Sequence, residues 1–125
     1  WVDVRIMMPG IPDKKLIFRM SHSFYQELLM GGVKIYEYIP GFLHAKSCVI
    51  DGKLATVGSV NLDHRSLFLQ FENNSLFYRS SVAEEVMADF LATLERCREI
   101  VPYNQTQYAL RLAFDGILRI FAPLC

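Results

Sequence analysis

Several short segments of the chain are rich in β-forming residues, and most of them alternate apolar with polar positions as half-buried strands do. The predicted strands are Val2–Met8, Val33–Ile39, Leu43–Ile50, Leu54–Gly58 and Phe71–Tyr78. The dipeptide Asp51-Gly52 stands between two of them and predicts a tight hairpin turn. The polar residues 59–66 predict a loop.

Two other segments have the three- to four-residue apolar spacing of helices. The first begins near Pro12-Asp13 and is ended by Gly31-Gly32. The second follows Ser80-Ser81, which can cap it, and its apolar face consists of Val82, Val86, Phe90, Leu91 and Leu94. The order of elements predicts an α/β fold in which a mixed β-sheet is flanked by helices.

A last amphipathic segment lies between residues 105 and 121. Its apolar face consists of Leu110, Ala113, Phe114, Ile117, Leu118 and Phe121, opposed by Arg111, Asp115 and Arg119. We therefore predict a domain of residues 1–100 followed by a C-terminal amphipathic helical tail of residues 101–125. The tail either packs on the protein or lies in a membrane interface, because its length and charges exclude a membrane span.

The composition is that of an ordinary globular domain, with 125 residues of which 52% are hydrophobic. The 13 basic and 13 acidic residues balance, so attraction of an anion must come from a local site. The aromatic residues are not interleaved with basic ones, which argues against a single-stranded nucleic-acid partner. The chain begins at Trp1, directly before a strand, and we expect it to be a fragment of a longer protein.

The residues with the strongest chemical signal lie between His44 and Glu72. His44 and Lys46 are two apart, so on a strand they project from the same face. A neutral imidazole can attack phosphorus or move a proton near pH 7, and the adjacent ammonium offsets phosphate charge. Ser59 and Asn61 add a hydroxyl and an amide that can hold phosphoryl oxygens.

This pattern, HxKxxxxDxxxxxxGS, resembles the signature of the phospholipase D superfamily. His44, Lys46, Asp51, Gly58 and Ser59 match it position by position. The wider stretch LHAKSCVIDGKLATVGSVNLDHRS followed by FENN is similar to the second signature of bacterial cardiolipin synthases, as are PDKKLIFRMSHSFYQELLMGGVKIYEY and the terminal RIFAPLC. The resemblance therefore covers nearly the whole chain and implies one phospholipase D-like half-domain, with its motif at residues 44–66.

The resemblance implies a mechanism that uses two histidines, no metal and no other cofactor. One histidine forms a phosphohistidine intermediate, and the other protonates the leaving alcohol. His44 is expected to be the acid/base partner, with nucleophile as the alternative. Lys46, Ser59 and Asn61 would hold the phosphate, and Glu72 would pair with the catalytic imidazole. Asp51 matches a catalytic position, although the hairpin signal alone explains it.

The implied reaction is phosphatidyl transfer between phosphatidylglycerol molecules, which gives cardiolipin and glycerol at the cytoplasmic side of a bacterial cell membrane. Only one HxKxxxxD motif occurs in the chain, whereas the mechanism needs two. An N-terminal half of the same protein or a second copy of the chain would supply the other. Two alternatives stay open, namely a dimeric phosphodiesterase or nuclease of the same superfamily, and an inactive half-domain that only docks its partner or a membrane.

Three other features favour non-catalytic interpretations. His22 and His64 lack metal-ligand spacing, and His64 is expected to be a solvated loop residue. Arg65 and Asp63 are expected to form an ion pair that shapes the loop. The cysteines Cys48, Cys97 and Cys125 have neither disulfide-framework nor zinc-site spacing, so thiols are expected.

Overall fold

A computed structural model describes residues 2–104, 115, 116 and 118–120 of the chain. Its elements, in chain order, are β1 (Arg5–Pro9), α1 (Lys15–Ser23), α2 (Tyr25–Met30), β2 (Lys34–Tyr38), β3 (Ser47–Ile50), β4 (Leu54–Gly58), α3 (His64–Phe68), β5 (Asn74–Tyr78), α4 (Ser81–Leu94) and β6 (Cys97–Ile100). They form two compact units. The described residues up to Leu43 and from Cys97 onward make the first unit, and His44–Arg96 make the second.

The first unit is built on a three-stranded sheet with the order β1-β2-β6. Strands β1 and β2 are parallel, with Ile6 opposite Ile35, and the connection between them contains α1 and α2. Strand β6 pairs with β2 in the antiparallel direction. Ile35 at the centre of the sheet is buried, as are Met20 of α1 and Tyr25 of α2. The sheet is therefore mixed, as the sequence predicts.

A charged group is buried in this unit. The side chain of Glu37 is only 1% exposed, and Arg98 Nη2 of β6 donates a 2.7 Å hydrogen bond to its Oε2. His22 Nε2 lies 2.9 Å from the other carboxylate oxygen, without the alignment of a hydrogen bond. Because a buried carboxylate is costly without a partner, Arg98 joins β6 to β2 by charge as well as by backbone pairing.

The second unit contains the antiparallel sheet β3-β4-β5, and α4 packs against all three strands. Ala83 of α4 and Ala55 of β4 are buried. The predicted hairpin is present, since Lys53 N–H donates to the Ile50 carbonyl and the two residues between them, Asp51 and Gly52, both have positive φ. This is the conformation that favours Asp-Gly in tight hairpins.

The α/β class is confirmed, with differences in detail. The predicted single sheet is two separate three-stranded sheets. The first predicted helix is divided at Phe24 into α1 and α2, and the predicted strand from Leu43 begins only at Ser47. Ser80 is the cap residue of α4, but its side chain makes no capping hydrogen bond. Helix α3 lies where a loop was predicted, and β6 was not predicted.

The predicted C-terminal tail is described only in part. Residues 115, 116 and 118–120 are helical. Of the proposed apolar face, Leu118 is described, and the remaining members lie outside the described residues. Leu118 is buried, and Arg119 donates hydrogen bonds to the Ser23 carbonyl and, at 2.5 Å, to Glu27. These contacts hold this part of the tail against α1 and α2. A separate tail domain of residues 101–125 stays a proposal.

Within the described part of the chain, the helices are too short or too polar for any of them to cross a membrane.

We predict that Arg98→Ala lowers the free energy of unfolding by about 2–3 kcal/mol, because it leaves the buried Glu37 carboxylate without its hydrogen-bonded cation. Arg5→Ala is the matched control, since Arg5 makes a 2.6 Å ion pair with Asp3 at an exposed position and should cost little. Urea denaturation of the 125-residue chain measures both. Equal losses would contradict the stabilising role given to the buried pair.

Candidate active site

His44 and Lys46 lie in the extended segment that leads directly into β3. The His44 side chain is exposed, and Lys46 is half-buried. Lys46 Nζ donates a 2.8 Å hydrogen bond to the His44 carbonyl oxygen. Because an ammonium has three N–H donors, this bond positions the charge beside His44 and leaves donors for a phosphate.

Gly58, at the end of β4, lies beside this segment. Its N–H donates to the Lys46 carbonyl at 3.1 Å, and it is paired with Asn74 of β5 on the other side. A Cβ atom on Gly58 would lie 1.9 Å from Asn74 Oδ1 and 2.2 Å from the Asn73 carbonyl oxygen. Only glycine fits such an approach. This packing brings Lys46 next to the loop that begins at Ser59.

The loop after β4 is held by hydrogen bonds to the carboxylate of Glu72. Ser59 Oγ donates to Glu72 Oε2 at 2.5 Å, and Ser66 Oγ donates to Glu72 Oε1 at 2.5 Å. Asn61 Nδ2 donates to Ser66 Oγ at 3.4 Å. The Asn73 N–H donates to Ser59 Oγ at 3.0 Å. Three of the sequence-predicted residues, Ser59, Asn61 and Glu72, are thus joined in one network.

The charge of Glu72 is stabilised by these partners. The hydroxyls of Ser59 and then Ser66 hold the pKa of the Glu72 carboxyl below its usual value, and the nearby Lys46 ammonium acts in the same direction. The carboxylate is therefore ionised at neutral pH and has a donor on each oxygen. Its predicted pairing with the His44 imidazole stays a prediction.

Helix α3 begins at a capping bond within this loop. Asp63 Oδ1 accepts a 2.7 Å hydrogen bond from the Ser66 N–H, which satisfies one of the open donors of the first helical turn. Among the described residues, Asp63 and Arg65 form no ion pair, so the predicted pair is wrong and the cap takes its place. The Ser66 side chain is buried.

Asp51 lies at the opposite end of β3 from His44. It is exposed in the hairpin turn, with φ 52°. The four residues of β3 alone span roughly 13 Å, which is far more than an aspartate side chain can bridge. The structure therefore separates Asp51 from the residues around Lys46.

A groove of about 430 Å³ runs between the strands and α4 within the second unit. His44, Lys46, Val57 and Gly58 are among the residues on the strand side. The helix side contains Val82, Glu85, Val86 and Asp89. The two carboxylates were not predicted from the sequence, although Glu85 and Asp89 have the i, i+4 spacing that places side chains on one face of a helix.

We predict that Gly58→Ala destabilises the chain by about 1–3 kcal/mol, because the added methyl group must displace the backbone of β5. Gly52→Asn is the control in the same unit. Gly52 has positive φ, which asparagine tolerates, and its nearest neighbour would be 4.0 Å away. Thermal unfolding compares the two variants. A fully stable Gly58→Ala would show that the strands do not approach as closely as described.

A second prediction concerns acid stability. Because the pKa of Glu72 is lowered in the folded chain, its contribution to stability is present above the usual value of 4.5 and is lost as the pH falls through the folded value. Glu72→Gln removes the titrating carboxyl group, so the stability of the variant should depend less steeply on pH below about 4.5 than that of the wild type. Circular dichroism during acid titration of both proteins measures the difference. Parallel curves would contradict the prediction.

Comparison with known proteins identifies the family. The family model described as "Cardiolipin synthase, PLD-like domain" matches residues 2–94. The chain is 42% identical over 125 residues to a cardiolipin synthase of Geobacillus sp. (strain WCH70), covering 98% of this chain and 25% of the relative. It is 46% identical over 124 residues to cardiolipin synthase 2 of Bacillus anthracis, covering 98% of this chain and 24% of the relative.

The chain thus spans about a quarter of the length of the curated relatives it matches. No solved structure gives a significant match. The family match covers the His44–Lys46 segment, the loop that follows Gly58, and also Glu72. Backbone and side-chain hydrogen bonds join these parts of the chain at one end of the strands of the second sheet. On this evidence the chain belongs to the family of cardiolipin synthase phospholipase D-like domains.

Proposed function

We propose that this chain provides one half of the active site of a phosphatidyltransferase that makes cardiolipin and glycerol from two phosphatidylglycerol molecules. The proposal is supported by the relatives, which are named cardiolipin synthases. The observation that carries it is the hydrogen bond from the Gly58 N–H to the Lys46 carbonyl, which joins the His44–Lys46 segment to the strand that continues into the Ser59–Asn61 loop. This arrangement suits a phosphate diester, whose charge rises during displacement.

In the proposed reaction, an imidazole nitrogen attacks phosphorus, and the bond from phosphorus to the headgroup oxygen breaks. The second imidazole gives its proton to the departing glycerol oxygen. A hydroxyl of another phosphatidylglycerol then returns a proton to that imidazole and attacks phosphorus, so the phosphorus–nitrogen bond breaks. His44 is assigned to the acid/base role, with nucleophile as the alternative.

Lys46 and Asn61 are proposed to hold the phosphate oxygens. Lys46 Nζ donates one hydrogen bond to the His44 carbonyl, and Asn61 Nδ2 donates one to Ser66 Oγ. Each of these nitrogens carries at least one further N–H that can donate to a phosphate oxygen. Ser59 donates its proton to Glu72, so its hydroxyl must rotate before it can donate to a substrate. We therefore propose that Ser59 chiefly shapes the loop and that Glu72 positions it.

The groove supports an alcohol as the acceptor. Glu85 and Asp89 line it on the α4 side, and carboxylates accept hydrogen bonds from hydroxyl groups. Val57, Val82 and Val86 provide an apolar wall in the same groove. A glycerol headgroup attached to a lipid has hydroxyl groups that can donate to the carboxylates and apolar surface that can pack on the valines.

The other imidazole is proposed to come from an N-terminal HxK half of the same protein or from a second copy of this chain, since one imidazole cannot be nucleophile and leaving-group acid in one step. We propose that the assembled enzyme works at the cytoplasmic face of a bacterial cell membrane; a phospholipid substrate supports the membrane location. The isolated chain is expected to be inactive as a monomer.

A phosphodiester with a p-nitrophenyl leaving group distinguishes the two roles of His44, because p-nitrophenolate departs without protonation. If His44 is the acid/base, His44→Ala in the assembled enzyme should keep a single burst of p-nitrophenol and lose turnover of phosphatidylglycerol by a factor of about 10² to 10⁴. If His44 is the nucleophile, the burst disappears. Full turnover of phosphatidylglycerol by His44→Ala would refute the proposed function.

Asp51→Asn is the matched control in the same motif. Asparagine tolerates positive φ, so the hairpin should form and turnover per folded molecule should stay within about twofold of the wild type. Lys46→Met, which removes the charge beside His44, should instead reduce turnover strongly. A loss in Asp51→Asn as large as in Lys46→Met would restore Asp51 to a catalytic role.

A further inference from the structure

Exposed apolar side chains cluster next to the candidate phosphate site. Phe71 is 108% exposed, Leu62 is 84% exposed and Phe68 is 72% exposed, and Leu67 and Leu69 between them are also exposed. We call these five residues, Leu62, Leu67, Phe68, Leu69 and Phe71, the apolar rim. Large apolar side chains concentrated in ten residues indicate an interaction surface rather than ordinary surface composition.

The apolar rim is joined at both ends to the network that holds the candidate phosphate ligands. At one end, Leu62 directly follows Asn61 in the chain, and at the other end Phe71 directly precedes Glu72. Ser66 connects the two ends, because its hydroxyl donates to Glu72 and accepts from Asn61. The apolar rim therefore has a fixed place beside a phosphate that Asn61 would hold.

The proposed reaction requires a second protein surface at this place. The other imidazole must come within about 3 Å of the headgroup oxygen that it protonates or of the phosphorus that it attacks. The half-domain that carries this imidazole therefore approaches the bound phosphate to within the length of one side chain. A half-domain this close covers residues that border the site, and the apolar rim borders it at Asn61.

The charges of residues 62–72 fit a protein partner better than an anionic lipid surface. Arg65 is the one Lys or Arg of this segment, against the carboxylates of Asp63 and Glu72. Both carboxylates accept hydrogen bonds from groups of the same loop, so neither needs a cation from a partner. Segments that bind anionic membranes carry an excess of Lys and Arg, whereas the cores of protein interfaces are rich in aromatic side chains and poor in charge.

The length of the relatives favours a half-domain of the same polypeptide over a second copy of the chain. They are about four times as long as the part that this chain matches, which leaves room for another unit of this size. Because the motif at residues 44–66 resembles the second of two signatures, the first is expected on the N-terminal side of it.

We infer that the apolar rim is the surface on which the N-terminal HxK half of the same polypeptide docks, so that the imidazole of that half faces the phosphate held by Lys46 and Asn61. The inference rests on the proposed function for the need of a second imidazole. It assigns to residues 62–71 the contact that completes the active site.

Photo-crosslinking in the full-length protein tests this docking without requiring catalysis. Phe71 is replaced by p-benzoylphenylalanine in one variant and Phe68 in another, and mass spectrometry after irradiation locates the joined peptides. The expected product links the apolar rim to the HxK half and keeps the mass of one polypeptide. The control is the same label at Tyr78, which is aromatic, belongs to the same unit and is 64% exposed. Tyr78 lies at the other end of β5 from Asn74, roughly 13 Å away, and should give far less of this product.

The mass of the product identifies the occupant. A product with the mass of two polypeptides would mean that a second copy covers the apolar rim. A product with a lipid would mean that a membrane covers it, and the absence of any product from both rim positions would mean that it stays open. Each of these results would overturn the inference, as would an equal yield of the HxK product from Tyr78.

A soluble substrate separates docking from membrane binding. Phe71→Ser in the full-length enzyme should lower transfer by about tenfold or more, because a displaced second imidazole no longer reaches the reacting atoms. The loss should be similar for vesicles and for a short-chain phosphatidylglycerol below its micelle concentration. Phe71→Leu should restore most of the activity, Tyr78→Ser should stay close to the wild type, and circular dichroism confirms that each variant is folded.

A loss on vesicles alone, or no loss on either substrate, would overturn the inference. The proposed function can fail separately. Cross-links to the HxK half in a wild-type protein that makes no cardiolipin would refute the proposed function and leave the docking intact. Cardiolipin synthesis with cross-links elsewhere would refute the docking alone.

Discussion

Gly58 ends β4, the central strand of the second sheet. Because it has no side chain, the neighbouring segments at Lys46 and at Asn73–Asn74 can both lie close to it. The backbone of Asn73 and the side chain of Asn74 occupy the space where a Cβ atom would stand. On the other side, the Gly58 N–H bonds to Lys46. Because the chain continues from Gly58 directly into Ser59, this single contact determines how the candidate phosphate ligands lie relative to the His44–Lys46 segment.

The second constraint is the carboxylate of Glu72, which is bound on both oxygens by serine hydroxyls. Ser59 precedes it by 13 residues and Ser66 by six, so one charged group joins the end of β4 to α3. Hydrogen bonds to a charged acceptor are stronger than neutral ones, so these bonds hold the loop firmly in one shape.

Much of the local structure was predictable from the pattern of residues. Strand β4 has the predicted bounds, and the Asp51-Gly52 turn forms because those residues accept positive φ. The division of the first helix at Phe24 has no glycine or proline signal, and α3 with five residues is too short for its periodicity to be recognised. Strand β6 pairs with β2 across about 60 residues of chain, which no local pattern reveals.

The sequence by itself determined the family and the candidate chemistry, because the identities and spacing of His44, Lys46, Ser59 and Asn61 are properties of one short segment. Only the tertiary structure decided which motif residues come together. It placed Asp51 at the far end of β3, gave Glu72 two serine partners, and brought Glu85 and Asp89 of α4 to the groove. The physical reason is that these relations depend on strand register and helix packing, which arise from contacts between residues far apart in the chain.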